Sequence, residues 1–156
     1  DPAATRQLAS RARDHVRSAK PRFPVSAEQG ADIAKAFYKA TRTGEVAPLQ
    51  ALLAQDAIMY SDGGGKRAAA KIPITGAETI ANFFASIFRR IRMDGTRPPP
   101  STWRQTMVDG LPGIIESQNG EVQHTMAFEI NNGKITAIYI VRNPDKLKHV
   151  AIGVME

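Results

Sequence analysis

An α+β fold is predicted by three observations on this sequence. Apolar residues recur at helical spacing up to about residue 93, the period changes to two from Ser101 onward, and Asn-Gly pairs interrupt the second region at 119–120 and 132–133. Helices that precede and separate strands closing as hairpins give α+β rather than alternating α/β. At 156 residues the chain suits one domain with one core and an appended arm.

Residues 3–18 read as a polar helix, with Leu8, Ala12 and Val16 at four-residue spacing and arginines around the rest of the wheel. Lys20-Pro21-Arg22-Phe23-Pro24 ends it, since proline lacks a donor and extends the residue before it. The predicted organisation is therefore a basic arm and linker over 1–24 and a domain over 25–156. Ser26 with Gln29 forms an expected capping box for a helix whose Ile33, Phe37, Ala40 and Thr41 share a face and which stops near Gly44. A shorter helix over 46–54 carries Leu49, Leu52 and Leu53. Residues 57–61 read as a strand, and 67–72 as a strand returning from the glycine turn between them.

Thr75 with Glu78 is a second expected capping box, opening a helix with Ile80, Phe83, Phe84, Ile87 and Ile91 on one stripe. Arg89, Arg90 and Arg92 sit at its C-terminal end, where the dipole favours cations, and Asp94-Gly95 and Pro98-Pro99-Pro100 stop it. Trp103, Gln105 and Met107 then alternate with Thr102, Arg104 and Thr106. A loop over 110–113 leads to a short strand over 114–117, and Asn119-Gly120 turns into a strand with His124, Met126, Phe128 and Ile130 on one face, opposite Thr125, Ala127 and Glu129. Asn132-Gly133 turns into a last strand over 135–141, closed by Asn143-Pro144, and an apolar tail over 150–155 is suited to dock.

Charge and composition narrow the function classes. The sequence has no cysteine, which excludes disulfides and thiolate metal sites. No apolar stretch approaches the ~20 residues a membrane span requires, and no signal-peptide pattern opens the chain, so no membrane partner is expected. The start at Asp1-Pro2, without methionine, predicts a piece of a longer protein. Of the net charge of +6, residues 1–22 supply +4, from six basic and two acidic side chains. The remaining body holds 15 basic against 13 acidic residues, a balance that argues against a nucleic-acid-binding face on it. His15, His124 and His149 are far apart, so neither a metal site nor a cofactor is expected.

Two motifs stand out. Asp62-Gly63-Gly64-Gly65-Lys66 places three entropically costly glycines between apolar stretches, marking a turn that needs positive φ or close backbone approach. It is not a Walker loop: Tyr60 stands where the first glycine belongs and Arg67 follows the lysine. Asn143-Pro144-Asp145-Lys146-Leu147 stops the last strand, with Asp145 as a turn cap and Leu147 as a cover for the sheet edge. In this order and spacing, the pair resembles the C-terminal extension of a group of extracytoplasmic-function sigma factors, in which a SnoaL-like (NTF2-like) domain follows the DNA-binding region. Arg6-Gln7-Leu8-Ala9-Ser10-Arg11-Ala12-Arg13 is similar to the tail of the recognition helix in the fourth region of sigma factors.

The resemblance implies a cone, a curved antiparallel sheet wrapped on the long helix. It implies a cytoplasmic regulatory domain that tunes transcription initiation through contacts with its own sigma core regions and RNA polymerase, with the ten residues of the two motifs as the contact surface. Promoter DNA would be reached only through the region upstream, because a partial recognition helix lacks the partner that orients it in the groove. A small-molecule ligand in the cone would meet Tyr60, Phe84, Trp103, His124, Met126 and Phe128, and the open sheet of such folds pairs with a second copy. The competing reading is an isomerase or cyclase of the ketosteroid-isomerase type. That chemistry needs a carboxylate with a raised pKa beside an enolate-stabilising donor. Asp62 and Glu129 are the candidate bases, with Tyr60, His124 or Trp103 as donor. The glycine turn predicts a solvated Asp62, and alternation places Glu129 opposite Met126 and Phe128, so no catalytic residue is assigned.

Overall fold

A computed structural model describes residues 25–95 and 100–150. The basic helix expected over 3–18, the boundary at 20–24, the stop at Pro98-Pro99 and the tail beyond Val150 lie outside the described residues. Ser26 opens the first described helix, α1 (Ala27–Thr41): its extended backbone lets Oγ accept the Gln29 N–H at 3.1 Å. Ala34, Phe37, Tyr38 and Ala40 turn the buried face inward. Helix α2 (Val46–Leu52) buries Leu49 and passes directly into β1 (Leu53–Asp62), so the strand begins four residues before the expected Ala57.

The strand expected over 67–72 does not form. The Lys66 and Arg67 N–H groups both donate to the Gly63 carbonyl at 3.1 Å, closing a local turn that turns the chain away from β1. Ile72 is 76% exposed, so no buried face holds the segment straight. Only Ile74–Thr75 (β2) pairs back onto β1. That pairing fixes Thr75 opposite Ile58, and the second expected capping box gives way: Gly76 is the N-cap of α3 (Ala77–Met93), without a side-chain cap. Of the apolar stripe on α3, Ile80 is buried and Phe83 and Phe84 pack on the core, whereas Ile87 and Ile91 remain 38% and 40% exposed. The stripe is longer than the sheet that covers it.

Four strands follow: β3 (Ser101–Val108), β4 (Leu111–Gln118), β5 (Glu121–Asn131) and β6 (Lys134–Val141). The three two-residue turns between them each pair an Asp or Asn at φ 50 to 53° with a glycine at φ 76 to 81°, the twist that suits a tight hairpin. Asp109-Gly110 is such a turn, so β4 starts at Leu111 and the loop expected over 110–113 is mostly strand. The sheet order is β2-β1-β6-β5-β4-β3. All pairs are antiparallel except β1 with β6, which run parallel, so the sheet is mixed rather than antiparallel throughout. Register shifts at Leu53/Ile58, Glu116/Ser117 and Glu129/Ile130 bend it. A final short helix, α4 (Pro144–Leu147), is capped by Asn143, whose side chain accepts the Asp145 N–H.

Helices α1, α2 and α3 pack into one core on the bent sheet. Phe37 is its centre: fully buried, it meets Phe84 at 5.4 Å and Phe128 at 5.3 Å between ring centroids, both edge-on. Met59, Ile114, Met126 and Ile138 close the strand side of this core. A separate cluster gathers Ala127, Ala137 and Tyr139 with Tyr60, Val108 and Leu111. No helix among the described residues is long and apolar enough to cross a membrane. Truncating the central ring, Phe37→Ala, is expected to cost about 3–5 kcal/mol in urea unfolding. Ile87→Ser, on the uncovered end of the α3 stripe, is expected to stay within about 0.5 kcal/mol of the parent.

Candidate interaction site at the joined glycine turn and strand end

The parallel ladder between β1 and β6 runs to its last rung at Asp62 and Val141, and the next residue continues the contact: the Arg142 N–H donates to the Asp62 carbonyl at 2.7 Å. The glycine turn and the 143–147 segment therefore leave the sheet side by side. Two reciprocal ion pairs join them. Lys146 Nζ lies 2.6 Å from Asp62 Oδ2, and Lys66 Nζ lies 2.8 Å and 3.0 Å from the two Asp145 oxygens. Each motif thus gives one acid and one base to the other.

Backbone geometry explains the glycines. Asp62 Oδ1 accepts the Gly64 N–H at 2.9 Å, bending the chain back at once. Gly64 sits at φ +64°, and a Cβ there would collide with the Asn143 carboxamide. A Cβ at Gly63 would strike the Arg67 carbonyl that folds over it. At Gly64 the other motif occupies the space a side chain would need, and at Gly63 the returning loop itself does.

The two ion pairs differ in setting. Asp62 is buried, with 5% side-chain exposure, and its partner Lys146 is 30% exposed. Asp62 is therefore not the solvated residue the glycine turn suggested, because the turn folds over it and Lys146 covers it. Lys66 and Asp145, at 57% and 55%, face solvent and are the part of the joined surface a partner can touch. Lys66 and then Lys148 hold Asp145 below the usual carboxylate range. Gly65 is open space, Pro144 starts α4, and Leu147 is buried beneath it.

A second polar cluster lies at the same end of the sheet, and it involves residues the sequence reading did not single out. Glu116 on β4 is buried on the core side and accepts the Tyr38 hydroxyl at 2.6 Å. His124 Nε2 stands 3.4 Å and Arg42 Nη1 3.7 Å from its carboxylate. The Tyr38 ring packs on Trp103 with centroids 4.7 Å apart. Burial, then Glu116, push the Tyr38 phenol up, so it stays a donor. Burial holds His124 below its ordinary value, opposed by Glu116 and reinforced by Arg142, Arg42 and Arg67. The signal that escaped notice was position: Tyr38 and Arg42 are one turn apart at the end of α1, beside Glu116 on the strand that α1 follows.

Of the six residues expected to line a ligand space, Phe84, Trp103, Met126 and Phe128 belong to the main core, and His124 borders it beside Glu116. Tyr60 departs from them. It stacks on Tyr139 at 5.4 Å with a 4° interplanar angle, in the separate cluster, because it alternates with the core residue Met59 on β1. Glu129 is buried in the same setting and accepts the Tyr139 hydroxyl at 3.1 Å.

Comparison with solved structures identifies the architecture. The extracytoplasmic-function sigma factor SigJ of Mycobacterium tuberculosis aligns over 94% of this chain with 23% identity and a TM-score of 0.59. This chain spans 50% of that protein's length. A SnoaL-like protein of unknown function from Burkholderia thailandensis covers 75% of this chain and 97% of its own, at 12% identity and a TM-score of 0.56. An NTF2-like protein from Burkholderia xenovorans covers 74% of this chain and 84% of its own, at 17% identity and a TM-score of 0.50. The fold is the NTF2-like, SnoaL-like cone. No family model matches the sequence, and no curated protein does.

Asp62→Ala strips Lys146 of its buried partner and is expected to cost about 2–4 kcal/mol in chemical denaturation. Asp145→Ala, on the exposed pair, is expected to leave the unfolding midpoint unchanged. Equal losses from both would show that the two pairs share one environment. His124, with its folded value below its unfolded one, binds protons more readily when unfolded. Its contribution is therefore constant above the unfolded value near 6.5 and turns against folding as pH falls below it. Thermal midpoints measured from pH 7.5 to 5 should fall less steeply in His124→Gln than in the parent.

Proposed function

We propose that this chain is the regulatory C-terminal domain of an alternative sigma factor of the extracytoplasmic-function type. In this reading it modulates transcription initiation by docking onto the sigma core regions of the same polypeptide. The observation that carries the reading is the reciprocal joining of the two motifs: Asp62 to Lys146, Lys66 to Asp145, and Gly64 against Asn143. A turn that served only to reverse the chain would not need a second segment fitted against Gly64. The likeness to SigJ supports the same direction, since it extends over nearly the whole chain.

The physical form is a two-state equilibrium, docked and released, biased by a few contacts on the exposed edge. Lys66 and Asp145 form that edge, and the buried Asp62–Lys146 pair fixes its geometry. The contact surface expected from all ten motif residues changes in one respect: Asp62 is buried and braces the surface from beneath. Catalysis by Asp62 or Glu129 finds little support, because each is already committed to a neighbouring side chain.

In vitro transcription by RNA polymerase carrying the full-length factor tests the proposal. Lys66→Ala and Asp145→Ala are expected to change initiation by about fivefold or more, the scale of a regulatory coupling, with unfolding midpoints unmoved. Initiation equal to the parent in both variants would overturn the reading.

A further inference from the structure

The polar cluster at the end of the sheet contains more positive charge than its own carboxylate neutralises. Beyond the Thr125–Val141 rung, the next residue on each strand is His124 and Arg142. Arg67, immediately after the glycine motif, reaches the same place: its Nη1 donates to the Gln123 carbonyl at 2.7 Å. Arg142 Nη1 donates to the Ala68 carbonyl at 2.6 Å, so one guanidinium ties the loop to a strand and the other ties a strand end to the loop. Arg42, Arg67 and Arg142 all act on His124, against the single carboxylate Glu116.

Glu116 is already engaged with Tyr38, Arg42 and His124. Among the described residues, no carboxylate lies within ion-pair distance of Arg67 or Arg142. Burial and the repulsion from Arg67 both weaken proton binding at Arg142, and Glu116 offsets only part of that. Each guanidinium carries five N–H donors, and each of these two places one on a backbone carbonyl. Two half-buried forks with donors to spare, on fixed backbone and beside a neutral imidazole, are what a planar or tetrahedral oxyanion requires.

We infer that Arg67 and Arg142, with His124 beside them, form a binding site for a small molecule bearing a carboxylate or phosphate. Arg67 directly follows Lys66 and Arg142 directly precedes Asn143, so an occupant would grip the roots of both joined motifs. The binding inference stands without the sigma-factor reading; it adds to that reading a ligand class that adjoins the docking surface.

Trp103 is the chain's one tryptophan, and its ring contact with Tyr38 makes it a reporter of the cluster. The experiment is a fluorescence titration of the whole chain with benzoate and, separately, with inorganic phosphate. A saturable change is expected with at least one of them, and which one distinguishes a carboxylate from a phosphate ligand. Affinity should fall about tenfold in Arg67→Gln and in Arg142→Gln, with Arg142→Lys between, because lysine keeps the charge and loses the fork. Lys71→Gln, an exposed cation outside the cluster, should bind like the parent. Circular dichroism of each variant separates lost binding from lost folding, and Arg142→Lys keeps the test open should a glutamine variant unfold. Absence of saturation below about 10 mM for both anions, equal affinity across the variants, or a response to duplex DNA alone would each overturn the site. None of these outcomes depends on transcription, so failure here is distinct from failure of the regulatory reading.

Discussion

The parallel pairing of β1 with β6 is the constraint on which the joining of the two motifs depends. Among the described residues it is the one parallel contact in the sheet, and it makes two segments that lie 84 residues apart at the Asp62–Lys146 pair finish side by side. An antiparallel neighbour would have sent the glycine turn to the opposite end of β6. The short helix α4, the Arg142 guanidinium and the polar cluster around Glu116 would then have been remote from it. Parallel strands need a long crossover, and here α3 and the β3–β5 meander supply it.

The contrast between the two ion pairs follows from where each lies relative to that last rung. Asp62 is the final residue of the ladder, still covered by the turn, so its charge needs Lys146 close by. Asp145 lies well past Val141 in the departing chain and already in water, where pairing with Lys66 contributes little to stability. One pair is buried where the two segments join, while the other lies in solvent. A surface built in this way can lose its exposed charges without losing its shape.

Much of this was legible in the sequence, for reasons that can be named. Asn119-Gly120 and Asn132-Gly133 carry their turn chemistry locally, and Ser26 carries its own cap. The stripe on α3 was visible as a period, but the point where the sheet stops covering it was not, since that is set by the width of the sheet. Thr75 with Glu78 looked like a cap because the pairing that holds Thr75 in β2 is a tertiary event. The composition of the two motifs marked a tight turn after Asp62 and a strand stop at Pro144, and the structure has both. The burial of Asp62 could not, because the residue that covers it comes from the far end of the chain. Glu116, Tyr38 and Arg42 are individually ordinary, and only the course of α1 along β4 brings them together.

Gly64 and Asn143 share one volume, and Asn143 also spends its side-chain oxygen on the first turn of α4. Neither residue is therefore free to drift by itself. A bulkier residue at 64 requires a shorter one at 143, and a shorter one at 143 uncaps the helix that presents Asp145. The two motifs should behave in evolution as a single inherited character split across the chain, changing together or not at all.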